Sequence, residues 1–163
     1  MMKTKIFCDI ADYKTIKFFN SKTIVDGFTT NPSLMRLAGA KNYKKYSLKI
    51  LKICKKKPIS FEVFGDNAKE MLKQAYEINS WGKNVYVKIP VVNSRGSFMG
   101  PVIKELSDKG IKLNITAVYT FEQTKKIYKK LNKKTKSIIS IFAGRMADKG
   151  KAPLPIFLSL IHI

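Results

Sequence analysis

Val85-Tyr86-Val87-Lys88-Ile89-Pro90-Val91-Val92 is an apolar run with one lysine in its middle. A run of this length, rich in valine and isoleucine, reads as a strand buried on both faces, the kind found in parallel sheets. Lys88 is costly there. An ammonium taken out of water loses several kcal/mol, about the scale of a buried ion, unless it is paired or sheds its proton. A lysine that sheds its proton becomes an amine nucleophile. The question for the flanking chain is whether it supplies what such a lysine needs.

On the N-terminal side, Lys5-Ile6-Phe7-Cys8-Asp9-Ile10 reads as a short strand ending in a carboxylate, and Asp12 as the cap of a helix carrying Tyr13, Ile16 and Phe19. Thr23-Ile24-Val25-Asp26-Gly27 reads as a second strand. It leads through Phe28-Thr29-Thr30-Asn31 to Pro32, which sits in the first turn of a helix. A helix from Tyr43 to Lys55 ends at Pro58. Ile59-Ser60-Phe61-Glu62-Val63-Phe64 is a third strand with a carboxylate inside it, and Asp66 reads as the cap of the next helix. Beyond the lysine strand, a helix around Val102–Ser107 stops at Lys109-Gly110. Leu113–Val118 is a fifth strand, and Thr120-x-x-Gln123 has the form of a capping box. Ser137–Phe142 is a sixth strand, leaving through Ala143-Gly144-Arg145.

Strand and helix alternate throughout, which implies a parallel α/β fold. No glycine-rich phosphate loop of the dinucleotide or P-loop type is present, which argues against a doubly wound nucleotide-binding fold. Polar residues recur on or just after the strands: Asp9, Asn31, Glu62, Lys88, Thr116 and Ser140. A (β/α)8 TIM barrel gathers groups from several strands at its C-terminal face, so one cause covers all six. Singly, Thr116 and Ser140 also read as satisfied core hydroxyls, and Asp9 and Asn31 as caps or turn residues. Lys88 and Glu62 stand out because such residues are rarely buried alone. A buried ion pair without chemistry is the alternative for that couple.

Composition narrows the classes. The chain has 163 residues, 45% of them hydrophobic, which argues for a real core and against disorder. No run approaches a membrane span, and the N-terminus lacks a signal-peptide pattern, so a cytoplasmic location and no membrane partner are expected. Cys8 and Cys54 have no metal-ligand spacing and read as buried free thiols. The net charge of +21 invites a nucleic-acid reading. However, only Arg36, Arg95 and Arg145 are arginines, and the lysines are spread along helix-like segments, so nucleic acid is not the expected partner. A basic binding protein on a decayed barrel remains the remote alternative, with steeply salt-dependent binding as its mark.

Phe7-Cys8-Asp9, Gly27-Phe28-Thr29-Thr30-Asn31-Pro32-Ser33, Ser60-Phe61-Glu62-Val63, Val87-Lys88-Ile89-Pro90, Asn114-Ile115-Thr116-Ala117 and Ser140-Ile141-Phe142-Ala143-Gly144-Arg145 together resemble the transaldolase family. The resemblance is to its short-chain branch, which includes fructose-6-phosphate aldolases, and it covers Phe7 to about Gly150. It implies a Schiff-base transaldolase. Lys88 attacks the keto carbon of a ketose phosphate. Asp9 takes the C4 hydroxyl proton. Glu62, held with Thr116 around a water, moves protons during imine formation and hydrolysis. Asn31 and Ser140 bind the hydroxyls of the three-carbon unit, Thr30 and Phe142 complete the substrate-binding set, and Arg145 holds the phosphate. The resemblance implies sugar-phosphate substrates, no cofactor, no metal and a homo-oligomer at full length. Glu62 and Phe142 resemble the transaldolases, whereas fructose-6-phosphate aldolases carry Gln and Tyr there, so transfer is expected over cleavage.

The strand count departs from the family. Six units are visible, and complete barrels run from about 200 residues upward. Residues 1–150 are therefore expected to be a partial TIM barrel, and 151–163 a truncated or artefactual tail with no capped helix pattern and no relation to the family. Its last residues, Ser159-Leu160-Ile161-His162-Ile163, resemble sequencing-adaptor read-through, so His162 is expected to have no chemical role.

Overall fold

The computed structural model describes residues 4–160. It contains strands β1 (Phe7–Asp9), β2 (Gly27–Thr29), β3 (Ile59–Glu62), β4 (Val85–Pro90), β5 (Leu113–Val118) and β6 (Ser137–Ile141). Helices α1 (Tyr13–Asn20), α2 (Pro32–Leu37), α3 (Tyr43–Ile53), α4 (Ala68–Asn79), α5 (Gly100–Asp108), α6 (Phe121–Tyr128), α7 (Ala143–Ala147) and α8 (Leu154–Leu160) lie between and after them. The strands form one sheet in chain order, β1-β2-β3-β4-β5-β6. Parallel strands in sequential order, each followed by helix, are the build of a partial (β/α)8 barrel. None of the helices among the described residues is long and apolar enough to cross a membrane.

The chain divides into two compact units. One holds the residues through Phe64 together with Gln74–Val87. In it β1 pairs in parallel with β2 (Asp9 opposite Thr29) and β2 with β3 (Thr29 opposite Ser60). Phe28, Ile59 and Phe61 fill the sheet and Ile16 and Ile50 the helices packed on it, all fully buried. Burying each such side chain is worth about 1.5–3 kcal/mol. Gly27 is needed where it stands, because a Cβ there would collide with the Phe7 ring of the neighbouring strand. The helices start as their sequences require. Asp12 accepts from Thr15 N–H at 2.7 Å and Asn42 from Lys45 N–H at 2.9 Å.

The other unit holds Gly65–Lys73 and the chain from Lys88 onward. Its β5 and β6 pair in parallel, Leu113 opposite Ser137 through Ile115 opposite Ile139, before the register shifts. Ala117 sits in that shift with φ 58°, a left-handed conformation that costs a non-glycine residue on the order of 1 kcal/mol. Leu113 and Ile115 are fully buried with Ile103 and Leu106 of α5. Gly110 ends α5 with φ 75° and its N–H on the Ser107 carbonyl. Thr120 and Gln123 form the expected capping box of α6.

Several expectations are corrected. The second strand is Gly27–Thr29, not Thr23–Gly27. Ile24 is 66% exposed, and Asp26 takes up the edge of β1 by accepting from Ile6 N–H at 2.8 Å. Asn67, not Asp66, lies under the start of α4, accepting from Glu70 N–H at 3.0 Å. The Asp66 carboxylate instead binds Ser94 through its N–H (2.8 Å) and hydroxyl (2.5 Å). Cys8 is only half-buried, whereas Cys54 is fully buried. Ala143-Gly144-Arg145 lies in helix α7, and Leu154–Leu160 forms α8, which packs against α6. His162 lies outside the described residues.

Candidate active site

In the first unit the chemistry-bearing side chains collect at the C-terminal ends of β1–β3, the edge where parallel α/β sheets place their sites. Asp9 is the last residue of β1 and is exposed. Its Oδ1 accepts from the Thr29 hydroxyl at 2.6 Å, a bond that follows from the Asp9–Thr29 register. Asn31 follows β2 as the N-cap of α2, with Oδ1 accepting from Leu34 N–H at 2.9 Å. The expected cap role is therefore present, and only its Nδ2 can donate to a ligand. Glu62 ends β3 half-buried, and its backbone N–H donates to the Tyr43 hydroxyl at 2.8 Å.

Thr30 is fully buried, and its hydroxyl donates to the Ser60 carbonyl at 2.8 Å. Burial, reinforced by the nearby Glu62 charge, holds the Tyr43 phenol well above its ordinary range, so it is a neutral hydroxyl at physiological pH.

In the second unit Lys88 lies fourth of six residues in β4, only 6% exposed, between fully buried neighbours Val87 and Ile89. Val91 N–H donates to the Thr116 carbonyl at 2.9 Å, which sets Thr116 beside the strand segment just past Lys88. Thr116 is 2% exposed and its hydroxyl has no hydrogen-bond partner among the described residues. Such a group is expensive unless something else bonds it. Two residues earlier on the same face of β5, Asn114 is fully buried, and Ser140 of β6 donates to its Oδ1 at 2.7 Å. Past β6, Phe142 packs edge-to-face on Tyr119 with ring centroids 5.6 Å apart. The exposed Arg145 guanidinium lies 5.3 Å from the Phe142 ring centroid, which orients its planar fork without consuming its donors.

Thus Asp9, Asn31 and Glu62 share the C-terminal edge of one unit. Lys88, Thr116 and Ser140 occupy strands of the other, with Phe142 and Arg145 following β6. Three polar participants had no assigned role in the sequence: Thr29 on Asp9, Tyr43 on Glu62 and Asn114 on Ser140. Period-two alternation from Thr116 points to Asn114. Thr29 needed the true register of β2, and Tyr43 had no sequence signal beyond its place on an apolar helix face.

The geometry can be set beside known proteins. Residues 6–156 match the Transaldolase/Fructose-6-phosphate aldolase family, so the match enters the segment expected to lie outside it. A protein of Streptococcus agalactiae serotype V named "Probable transaldolase" is 35% identical over 159 residues, covering 98% of this chain and 69% of the relative. Proteins of the same name from Methanococcus vannielii and Herpetosiphon aurantiacus are 34% identical over 161 residues and 31% over 159, covering 69% and 67% of those relatives. A family match over most of the chain, with its motifs on the strand ends just described, makes this chain a member of the transaldolase/fructose-6-phosphate aldolase family.

Proposed function

We propose that the protein is a transaldolase that works through a Schiff base on Lys88 and moves a dihydroxyacetone unit from a ketose phosphate to an aldose phosphate. Its place is then among the sugar-phosphate exchanges of the non-oxidative pentose phosphate pathway. The observation that carries the reading is a lysine 6% exposed within an apolar strand, in the same compact unit as the buried Thr116 hydroxyl, which has no partner among the described residues, and the Asn114–Ser140 pair. An amine sheltered from bulk water can attack a carbonyl and keep the resulting imine from premature hydrolysis.

The Lys88 amine adds to the keto carbon, and loss of water leaves a protonated imine. The C3–C4 bond then breaks, its electron pair passing into the imine to give an enamine. Asp9 takes the C4 hydroxyl proton as the aldehyde leaves. The Thr29 hydroxyl on Oδ1 fixes that carboxylate and leaves Oδ2 for the proton. The enamine adds to the acceptor aldehyde, and water releases the new ketose. Glu62 and Thr116 handle protons as the imine forms and hydrolyses. Asn31 Nδ2 donates to a substrate oxygen. Ser140, whose proton is committed to Asn114, accepts from a substrate hydroxyl. Arg145 takes the phosphate, its fork pre-oriented by Phe142.

One observation favours a second reading, simple cleavage as in the aldolase half of the family. The Tyr119 ring centroid lies 5.6 Å from that of Phe142, and in this reading Tyr119 protonates the enamine. A ketose phosphate labelled in carbons 1–3 tests both. Transfer predicts label in a new ketose phosphate only when an aldose phosphate is added. Cleavage predicts free labelled dihydroxyacetone without it. Label that stays in the starting sugar under both conditions refutes both readings.

A further inference from the structure

We propose that Tyr43 is a positioning residue for Glu62, its hydroxyl holding the backbone at the end of β3. The inference rests on the proton-handling role proposed for Glu62. The Tyr43 hydroxyl oxygen accepts the Glu62 N–H at 2.8 Å.

The hydroxyl and the ring of Tyr43 have separable jobs. The ring packs edge-to-face on Phe64 at 4.5 Å and on Phe61 at 6.5 Å, and lies 6.1 Å from Trp81. A phenylalanine would keep all three contacts. Only the hydroxyl reaches the backbone of Glu62, the last residue of β3. Small errors in where a proton carrier sits are costly in rate. The hydroxyl is thus placed to affect turnover more than folding.

The test is a kinetic cycle in the full chain with Y43F, E62A and the double variant, read as turnover and as the rate of borohydride-trapped adduct formation at Lys88. Y43F is expected to lower kcat about tenfold, the scale of one hydrogen bond, with KM changed by less than about twofold. In the E62A background Y43F is expected to change nothing further, because its route to the chemistry is already gone. If Y43F does not fold, hydrogen exchange at the Glu62 amide of the wild-type chain carries the test: a protected amide is expected, and an unprotected one overturns the bond and the role with it. Wild-type kcat in Y43F overturns the positioning role, as does an equal fractional loss with and without Glu62. A wild-type protein that forms no adduct at Lys88 overturns the Schiff-base reading and this inference with it.

Discussion

Replacing Thr116 with valine should make the protein more stable and less active. The side chain is 2% exposed and its hydroxyl has no partner among the described residues. A buried hydroxyl left without a hydrogen bond costs roughly 1–3 kcal/mol, and valine fills nearly the same volume with a methyl group in its place. Removing the hydroxyl therefore returns up to about that amount. For a chain of this length, each kcal/mol moves Tm by about 2–4 °C, so thermal unfolding should rise by roughly 2–12 °C. A water held by the hydroxyl would bring the gain toward the lower end. Turnover should fall by about 10²-fold, the low end of what a positioned proton carrier contributes. Melting curves and steady-state rates on the same preparations read both quantities. A T116V protein that melts lower than wild type would mean that the hydroxyl is satisfied by the fold. One that keeps full activity would mean that it has no part in the chemistry.

The other consequences are local. S140A removes the donor to a fully buried acceptor, Asn114 Oδ1, and should lower stability by about 1–3 kcal/mol, seen as a lower denaturant midpoint with an unchanged m-value. An unchanged midpoint would contradict the bond. Burial pushes the Cys54 thiol up to about 11, so its thiolate fraction near pH 8 is on the order of 10⁻³. Iodoacetamide should therefore modify the half-buried Cys8 in the native protein and spare Cys54, and equal labelling would refute that contrast. The Asp12 carboxyl is held below its ordinary 3.8 by hydrogen bonds from the Thr15 hydroxyl and N–H. A depressed folded-state pKa gives stability that is present above the unfolded value and lost as pH falls through the folded one. D12A should therefore cost about 1 kcal/mol at neutral pH through loss of the α1 cap. The gap to wild type should close as urea melts are taken down through 3.8 and below. A gap that stays constant with pH would contradict the charged cap.

The sequence was most readable where one local cause dominates. The Lys88 strand and Leu113–Val118 were identifiable from unbroken apolar runs, and the α6 start from Thr120 and Gln123, because burial on both faces and reciprocal capping leave strong local patterns. Reading failed where pairing decides. Thr23-Ile24-Val25 has the composition of a strand, yet Gly27-Phe28-Thr29 pairs, because only glycine fits against Phe7 and because Phe28 fills the core. Local composition does not carry that register, and the Asp9–Thr29 bond was hidden with it. Asp66 and Asn67 are both good caps one residue apart, and the choice is made by Ser94, far along the chain. In residues 154–160, two prolines around Leu154 masked a short helix that α6 supports by packing.

Trapping at Lys88 tests the central claim most directly. The protein is incubated with a ketose phosphate, reduced with borohydride, digested, and its peptides weighed. The account predicts a reduced sugar-phosphate adduct on Lys88 and on no other lysine, absent from K88M. No adduct on wild-type protein, or labelling of other lysines that K88M leaves undiminished, would contradict it.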